Sequence, residues 1–299
     1  MSDRISRLLV ASDIDGTIMR AGCGIPRANM DAIERFVGRG GRFTVATGRA
    51  VQAVRNYLPW LMLSAPAILC NGAQIYDYNI ERSIYERLLD NGAREVVDDI
   101  RRAFPELGIE VYPPTGEIVA IRSNEQVTQH ALDEHIDIIY TDLATVEDGW
   151  LKVVFADTPA NINRVSSFVD KRISDDVRYR DFTFVRTGDV YYEMVAPDVN
   201  KGAGLRKLAE IMGVKMSDTA AIGDYYNDIS MLDAAGYSAA MGNAPAEVRS
   251  FADLTVGECL RGGFGQFLDS LDSACNGYEQ MRFDDGAAED AKDPSQPEG

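Results

Sequence analysis

The chain has 299 residues, with 30 Lys and Arg against 47 Asp and Glu, for a formal net charge of −17. Apolar residues make up 45% and charged residues 26%, a globular composition that excludes collagen-like, coiled-coil and wholly disordered chains and leaves room for two domains. The acidic balance argues against nucleic acid and against anionic membrane surfaces as partners, since both are bound through a surplus of Lys and Arg.

No run of about 18 apolar residues occurs, so no transmembrane helix is expected. The opening MSDRISRLLVASD lacks a long apolar stretch and a small-residue cleavage site, so it does not read as a signal peptide and a cytoplasmic protein is expected. Cys23, Cys70, Cys259 and Cys275 form no C-x-x-C pair and read as reduced, mostly buried thiols. Oligomeric state is not legible at this level.

In chain order, residues 7–12 (RLLVAS) form a short apolar run that predicts a buried strand. Residues 26–40 predict a helix, with Met30, Ile33 and Val37 on one stripe and Gly40-Gly41 beyond it. A strand at 42–46, a helix at 52–57 stopped by Pro59 and a strand at 67–70 continue an alternation that predicts a parallel sheet flanked by helices. The middle differs: an extended stretch at 83–89, an amphipathic helix at 91–104, strands at 109–112 and 117–122, and a polar helix at 126–134. Then come a strand at 151–156, a helix at 160–172, and strands at 177–186 and 190–195 joined by Thr187-Gly188-Asp189. After Lys201 the first pattern returns, with a helix marked by Leu205, Leu208, Ala209 and Met212, strands at 219–223 and 237–241, and helices near 229–235 and 247–252.

The expected fold is α/β, a doubly wound, Rossmann-like parallel sheet interrupted by an inserted α+β module. Residues 1–81 and 194–272 form the discontinuous core, 82–193 the insertion, and 273–299 an acidic tail too poor in apolar residues to fold.

Chemistry concentrates at predicted strand ends. Asp13-Ile14-Asp15-Gly16-Thr17 follows the first strand, and in extended chain residues two apart face the same way, so Asp13 and Asp15 can share a site. Two carboxylates there suit a hard cation such as Mg²⁺, or a division into nucleophile and general acid/base. Thr47-Gly48-Arg49 and Asn71-Gly72 follow the next two strands, and Gly223-Asp224-Tyr225-Tyr226-Asn227-Asp228 follows TAAIG. The hydroxyl of Thr47 and the backbone of Gly48 can hold phosphate oxygens. A helical turn brings Asp224 and Asp228 to one face, and Lys201 opens the preceding helix. Asp13, Asp15, Asp224 and Asp228 together repel one another unless a divalent cation and Lys201 offset their charge. Such a site fits a phosphate dianion, whose transfer relies mainly on positioning and charge neutralisation. His130 and His135 are five apart, off a common helical face, and read as surface residues.

These stretches closely resemble the four motifs of the haloacid dehalogenase superfamily, and most of all the Cof-type phosphatases with a large inserted α+β cap. ATGR at 46–49, NGA at 71–73, NKG at 200–202 and MGNA at 241–244 strengthen the likeness, which spans about residues 7–268. The resemblance implies Mg²⁺-dependent hydrolysis of small phosphate monoesters, sugar phosphates or cofactor-type phosphates. It implies that Asp13 forms an aspartyl-phosphate and that Asp15 protonates the leaving alkoxide and then activates water. It further implies that Asp13, the Asp15 carbonyl and Asp224 hold the metal, supported by Asp228, while Thr47, Gly48, Lys201 and Asn227 hold the phosphate. Asn243 is expected near the site, and Tyr225-Tyr226 departs from the residues usual between Asp224 and Asn227. The alternatives are a sugar phosphomutase of the same superfamily and a non-enzymatic phospho-acceptor module.

Overall fold

The computed structural model describes residues 4–20, 23–89 and 92–271. The tail from 273, with Cys275, lies outside the described residues.

Strand β1 (Leu9–Ser12) is buried along its whole length. It is followed by α1 (Arg27–Gly38), β2 (Arg42–Val45), the short helices α2 (Val51–Arg55) and α3 (Leu58–Leu61), and β3 (Ala67–Leu69). Two helices thus stand where one, stopped by Pro59, is expected. Pro59 lies in the first turn of α3, where its missing N–H costs no hydrogen bond. The chain then doubles back as β4 (Gln74–Asp77), antiparallel to β3, and β5 (Arg82–Glu86), antiparallel to β4.

The middle of the chain contributes α4 (Ala93–Ala103), β6 (Gly108–Tyr112), β7 (Ile118–Arg122), α5 (Glu125–Glu134) and β8 (Ile138–Tyr140). It continues with β9 (Lys152–Ala156), α6 (Pro159–Asp175), β10 (Thr183–Arg186) and β11 (Tyr191–Val195). The six strands form one sheet in the order β10-β11-β9-β6-β7-β8, antiparallel except for β7 beside β8. The strand expected over 177–186 is shorter, because Val177–Asp181 is a 3-10 turn whose start is closed by the Asp176 carboxylate accepting from the Arg178 N–H at 3.1 Å. The edge strand β8 is a further departure; it is largely exposed and shows no clean alternation that would announce it.

The final part supplies α7 (Lys201–Met212), β12 (Thr219–Gly223), α8 (Ile229–Ala234), β13 (Tyr237–Ala240), α9 (Ala246–Arg249) and β14 (Leu254–Thr255), then a helix over 263–271. Five parallel strands stand in the order β14-β13-β12-β1-β2, and a single bridge from Ala46 to Ile68 sets β3 beside β2. Alternation along β1 sends Val10 to the side packed by Ile33 and Phe36 of α1 with Phe264 and Phe267. It sends Leu9 and Ala11 to the side packed by Leu205, Leu208 and Met231. Helices therefore cover both faces, the α/β doubly wound architecture.

The six-stranded sheet uses its two faces differently. Ile109, Val111, Val153, Phe155, Tyr192 and Met194 pack against Val96, Val97 and Ile100 of α4 and Ile162, Val165 and Val169 of α6. The alternate residues Tyr112, Lys152, Val154, Tyr191 and Glu193 line a cleft shared with Asp13, Thr47 and Asp224. This sheet is thus a cap over the carboxyl edge of the parallel one. Cys70 and Cys259 are buried, Cys23 is exposed, and all three are free thiols. Among the described residues no helix is long and apolar enough to cross a membrane.

Candidate active site

Parallel pairing continues one residue past β1, with the Asp13 N–H donating to the Ile222 carbonyl at 3.0 Å. This places Asp13 at the junction of β1 and β12, 7% exposed, with Ile14 fully buried in the core. Gly16 turns the chain with φ +85°, and a Cβ there would overlap the Asp224 carboxylate, so glycine is what lets residues 16 and 224 approach. At the neighbouring strand end Thr47 is buried, and its Oγ1 accepts from the Arg49 N–H at 3.2 Å.

Lys201 begins α7 behind Asn200, whose side chain accepts from the Ala203 N–H at 2.8 Å and caps the helix. The Lys201 side chain is 1% exposed, and its Nζ lies 2.6 Å from Asp13 Oδ1 and 2.6 Å from Asp228 Oδ1. The other oxygen of Asp228 accepts from the backbone N–H groups of Asp224 and Tyr225 at 2.8 and 2.9 Å. Asp224 in turn accepts from the Thr17 hydroxyl at 2.9 Å and the Asn243 amide at 3.1 Å.

Electrostatics set this cluster apart. Burial pushes the Asp13 carboxyl well above the usual range; Lys201 opposes the shift, while Asp228, Asp224 and Asp15 add to it. Asp224 is pushed up to about 6, first by burial and then by Asp228. Burial alone would lower Lys201, but Asp13 and Asp228 outweigh it and raise the ammonium's pKa. Asp13, Asp224 and Asp228 each offer an oxygen, all within 4.8 Å of one another. Three crowded carboxylates with one ammonium leave negative charge uncompensated, and their all-oxygen donor set suits a hard divalent cation.

The Asp15 carboxylate stands apart from that triad. It is gripped bidentately by Arg49, Nε to Oδ2 at 2.7 Å and Nη2 to Oδ1 at 2.9 Å. Asn227 donates to Asn71 Oδ1 at 3.1 Å, and Asn71 donates to Glu193 Oε2 at 3.3 Å. The Gly48 carbonyl accepts from Lys152 Nζ at 3.0 Å. Asp13, Asp15, Thr47, Gly48, Asp224 and Asn227 all line one cleft of about 460 Å³, while the buried Lys201 pairs with both Asp13 and Asp228. Tyr225 and Tyr226 meet edge to face with ring centres 5.1 Å apart. Of the two, Tyr225 lines the cleft.

Sequence reasoning passed over several residues here. His130 is not a surface residue: its Nδ1 lies 2.9 Å from buried Glu110 and its Nε2 lies 3.4 Å from Glu134. Burial alone would lower its pKa, but these two carboxylates raise it to about 10. Arg49 Nη1 lies 3.7 Å from Glu134, so an acid–imidazole–acid chain from the cap reaches the residue that holds Asp15. Lys152 pairs with Glu193 at 2.9 Å, both nearly buried. The available signal was one charge in each apolar strand, GIEVY, KVVFA and YYEMV. His135, by contrast, is exposed as expected.

Comparison with known proteins identifies the family. A family model described as haloacid dehalogenase-like hydrolase matches residues 10–268. The putative phosphatase YxeH of Bacillus subtilis is 29% identical over 262 residues, covering 82% of this chain and 91% of the relative. The 5-amino-6-(5-phospho-D-ribitylamino)uracil phosphatase YwtE of the same organism is 29% identical over 287 residues, covering 88% and 97%. A haloacid dehalogenase-like hydrolase crystal structure from Bacteroides thetaiotaomicron superposes with a TM-score of 0.79 at 25% identity, covering 88% of this chain and 99% of that one. Membership in an enzyme family displaces the phospho-acceptor module as a reading. The chain belongs to the haloacid dehalogenase-like hydrolases, as an enzyme of their capped, Cof-type phosphatase branch.

Proposed function

We propose that the protein hydrolyses small phosphate monoesters in a Mg²⁺-dependent reaction through an aspartyl-phosphate on Asp13. The observation that carries this reading is the Lys201 ammonium 2.6 Å from both Asp13 and Asp228, beside three carboxylate oxygens within 4.8 Å of one another. Asp13, Asp224 and the Asp15 carbonyl, with support from Asp228, would hold Mg²⁺, which would supply positive charge to the phosphate oxygens.

The chain's own residues do the rest. Lys201, the Thr47 hydroxyl, the Gly48 N–H and the Asn227 amide orient the phosphate. A carboxylate oxygen of Asp13 attacks phosphorus as the ester P–O bond breaks, and Asp15 delivers a proton to the departing alkoxide. Asp15 then takes a proton from water, which attacks phosphorus and frees Asp13. Arg49 fixes the orientation of Asp15 in its carboxylate form. A cleft of about 460 Å³ suits a sugar phosphate or a cofactor-sized phosphate and excludes macromolecules. In this reading residues 1–81 and 194–272 are the core and 82–193 the cap, with β4, β5 and β11 linking the two.

A phosphate-release panel of metabolites, with Asp13→Asn as the blank, tests the proposal. Release by the wild type and at least a thousandfold less by the folded variant is expected. Near-equal rates would remove Asp13 as nucleophile. Transfer of phosphate between hydroxyls of one sugar, without release, would favour the phosphomutase.

A further inference from the structure

The wall facing the phosphate site is charged, and each of its cations already sits in an ion pair with a carboxylate. Among the described residues lining the cleft the cations are Arg49, His130 and Lys152. Arg49 is engaged bidentately by Asp15 through Nε and Nη2, while its buried Nη1 has no hydrogen-bond partner and lies 3.7 Å from Glu134; His130 lies between Glu110 and Glu134. Lys152 is held by Glu193 at 2.9 Å and the Gly48 carbonyl at 3.0 Å, with its ammonium 4.6 Å from the centre of the Tyr112 ring. Lys152 is 4% and Glu193 6% exposed, so this pair is not a solvated surface contact.

Outside the triad of Asp13, Asp224 and Asp228, the lining carries four carboxylates: Asp15, Asp133, Glu134 and Glu193. A leaving group bearing a second anion would lose its hydration next to more carboxylates than cations, with every cation already engaged. A hydroxyl meets no such penalty, because it can donate to these same carboxylates and accept from the Tyr191 hydroxyl.

Register explains why Glu193 controls this balance. Val154 of β9 pairs with Glu110 of β6 on one side and Glu193 of β11 on the other. Lys152, two residues away on the same face, therefore has a carboxylate on the adjacent strand. Glu193 also accepts from Thr187 at 3.2 Å and from Asn71 of the core at 3.3 Å, which fixes it across the junction of cap and core.

We infer that Glu193 is a specificity-determining residue: by engaging Lys152 it leaves the cap wall without a free cation, and the cleft selects hydroxyl-bearing phosphate monoesters that carry no second anionic group. The inference rests on the proposed phosphatase reading of the same cleft.

The test uses the full chain with Mg²⁺ and two substrate pairs that differ only by a hydroxymethyl or a carboxylate. They are glycerol 3-phosphate against 3-phosphoglycerate, and sorbitol 6-phosphate against 6-phosphogluconate. kcat/KM is measured for each, or Ki against p-nitrophenyl phosphate for any that is not turned over. The wild type is expected to favour the uncharged member at least tenfold in both pairs. Glu193→Gln, which frees Lys152, should shrink that preference at least tenfold, whereas Lys152→Gln should keep it. Equal or reversed preference in the wild type would overturn the inference, as would a folded Glu193→Gln with an unchanged ratio or a Lys152→Gln that loses it. If Glu193→Gln does not fold, the wild-type ratios and Lys152→Gln still decide. Turnover of p-nitrophenyl phosphate that Asp13→Asn abolishes keeps the phosphatase reading even if the pair ratios fail, whereas absence of that turnover in the wild type removes both.

Discussion

Single side chains in this protein carry charge in places where charge is costly, and each is matched to an opposite charge brought from far along the chain. Lys201 meets Asp13 across 188 positions and Asp228 across 27. His130 meets Glu110, fully buried on β6, across 20. Removing one partner of such a set leaves an uncompensated buried charge, which costs about 3–5 kcal/mol. His130→Gln is therefore expected to lower unfolding stability by about that amount at pH 7. The pH dependence follows from the same pair. The His130 pKa rises from 6.5 to about 10 on folding, so its contribution is fully present below pH 6.5 and lost as pH rises through 10. Urea unfolding at pH 6.5 and pH 9.5 should show the wild type losing stability over this window and His130→Gln losing much less. Equal losses in the two proteins would remove His130 as the source.

At the scale of elements, the site is a set of strand ends aligned by parallel register. Pairing of Leu9 with Thr219 and of Ser12 with Ile222 puts Asp13 beside Gly223-Asp224. These strand ends were legible because short apolar runs ending in acids or in Thr-Gly are local patterns; β1 itself ends at Ser12, and Asp15 reaches the cleft from the turn beyond it. The cap wall was not. Glu110, Lys152 and Glu193 stand inside apolar strands, but which face meets a helix and which meets the cleft depends on a sheet order that no local pattern encodes. His130 was misread for a related reason: its partners are a strand residue and the helix residue four positions on, so the spacing to His135 carried no information. The turn at Gly16 gives an element-scale prediction. Alanine there meets a left-handed backbone, costing about 1–2 kcal/mol, and its Cβ displaces the Asp224 carboxylate. Gly16→Ala is expected to lower the melting temperature and to abolish the further thermal stabilisation that Mg²⁺ gives the chelated wild type. A variant with full Mg²⁺ stabilisation would show that the close approach of residues 16 and 224 is dispensable.

The whole molecule places a parallel sheet with helices on both faces beneath an antiparallel sheet whose polar face turns toward it. The junction is partly apolar, with Ala50, Ala53, Cys70 and Ala73 of the core meeting Tyr112, Leu151 and Val154 of the cap. It is also tied by polar contacts that cross it, Lys152 to Gly48 and Asn71 to Glu193. A net charge of −17 does not forbid one phosphate at a site where a lysine and, in the proposed reading, a metal would act together. The most direct measurement of that central claim is phosphate release from p-nitrophenyl phosphate by the full chain, first in excess chelator and then after Mg²⁺ is restored. The account predicts release only with Mg²⁺ present. Undiminished release from protein that elemental analysis shows to be metal-free would contradict it.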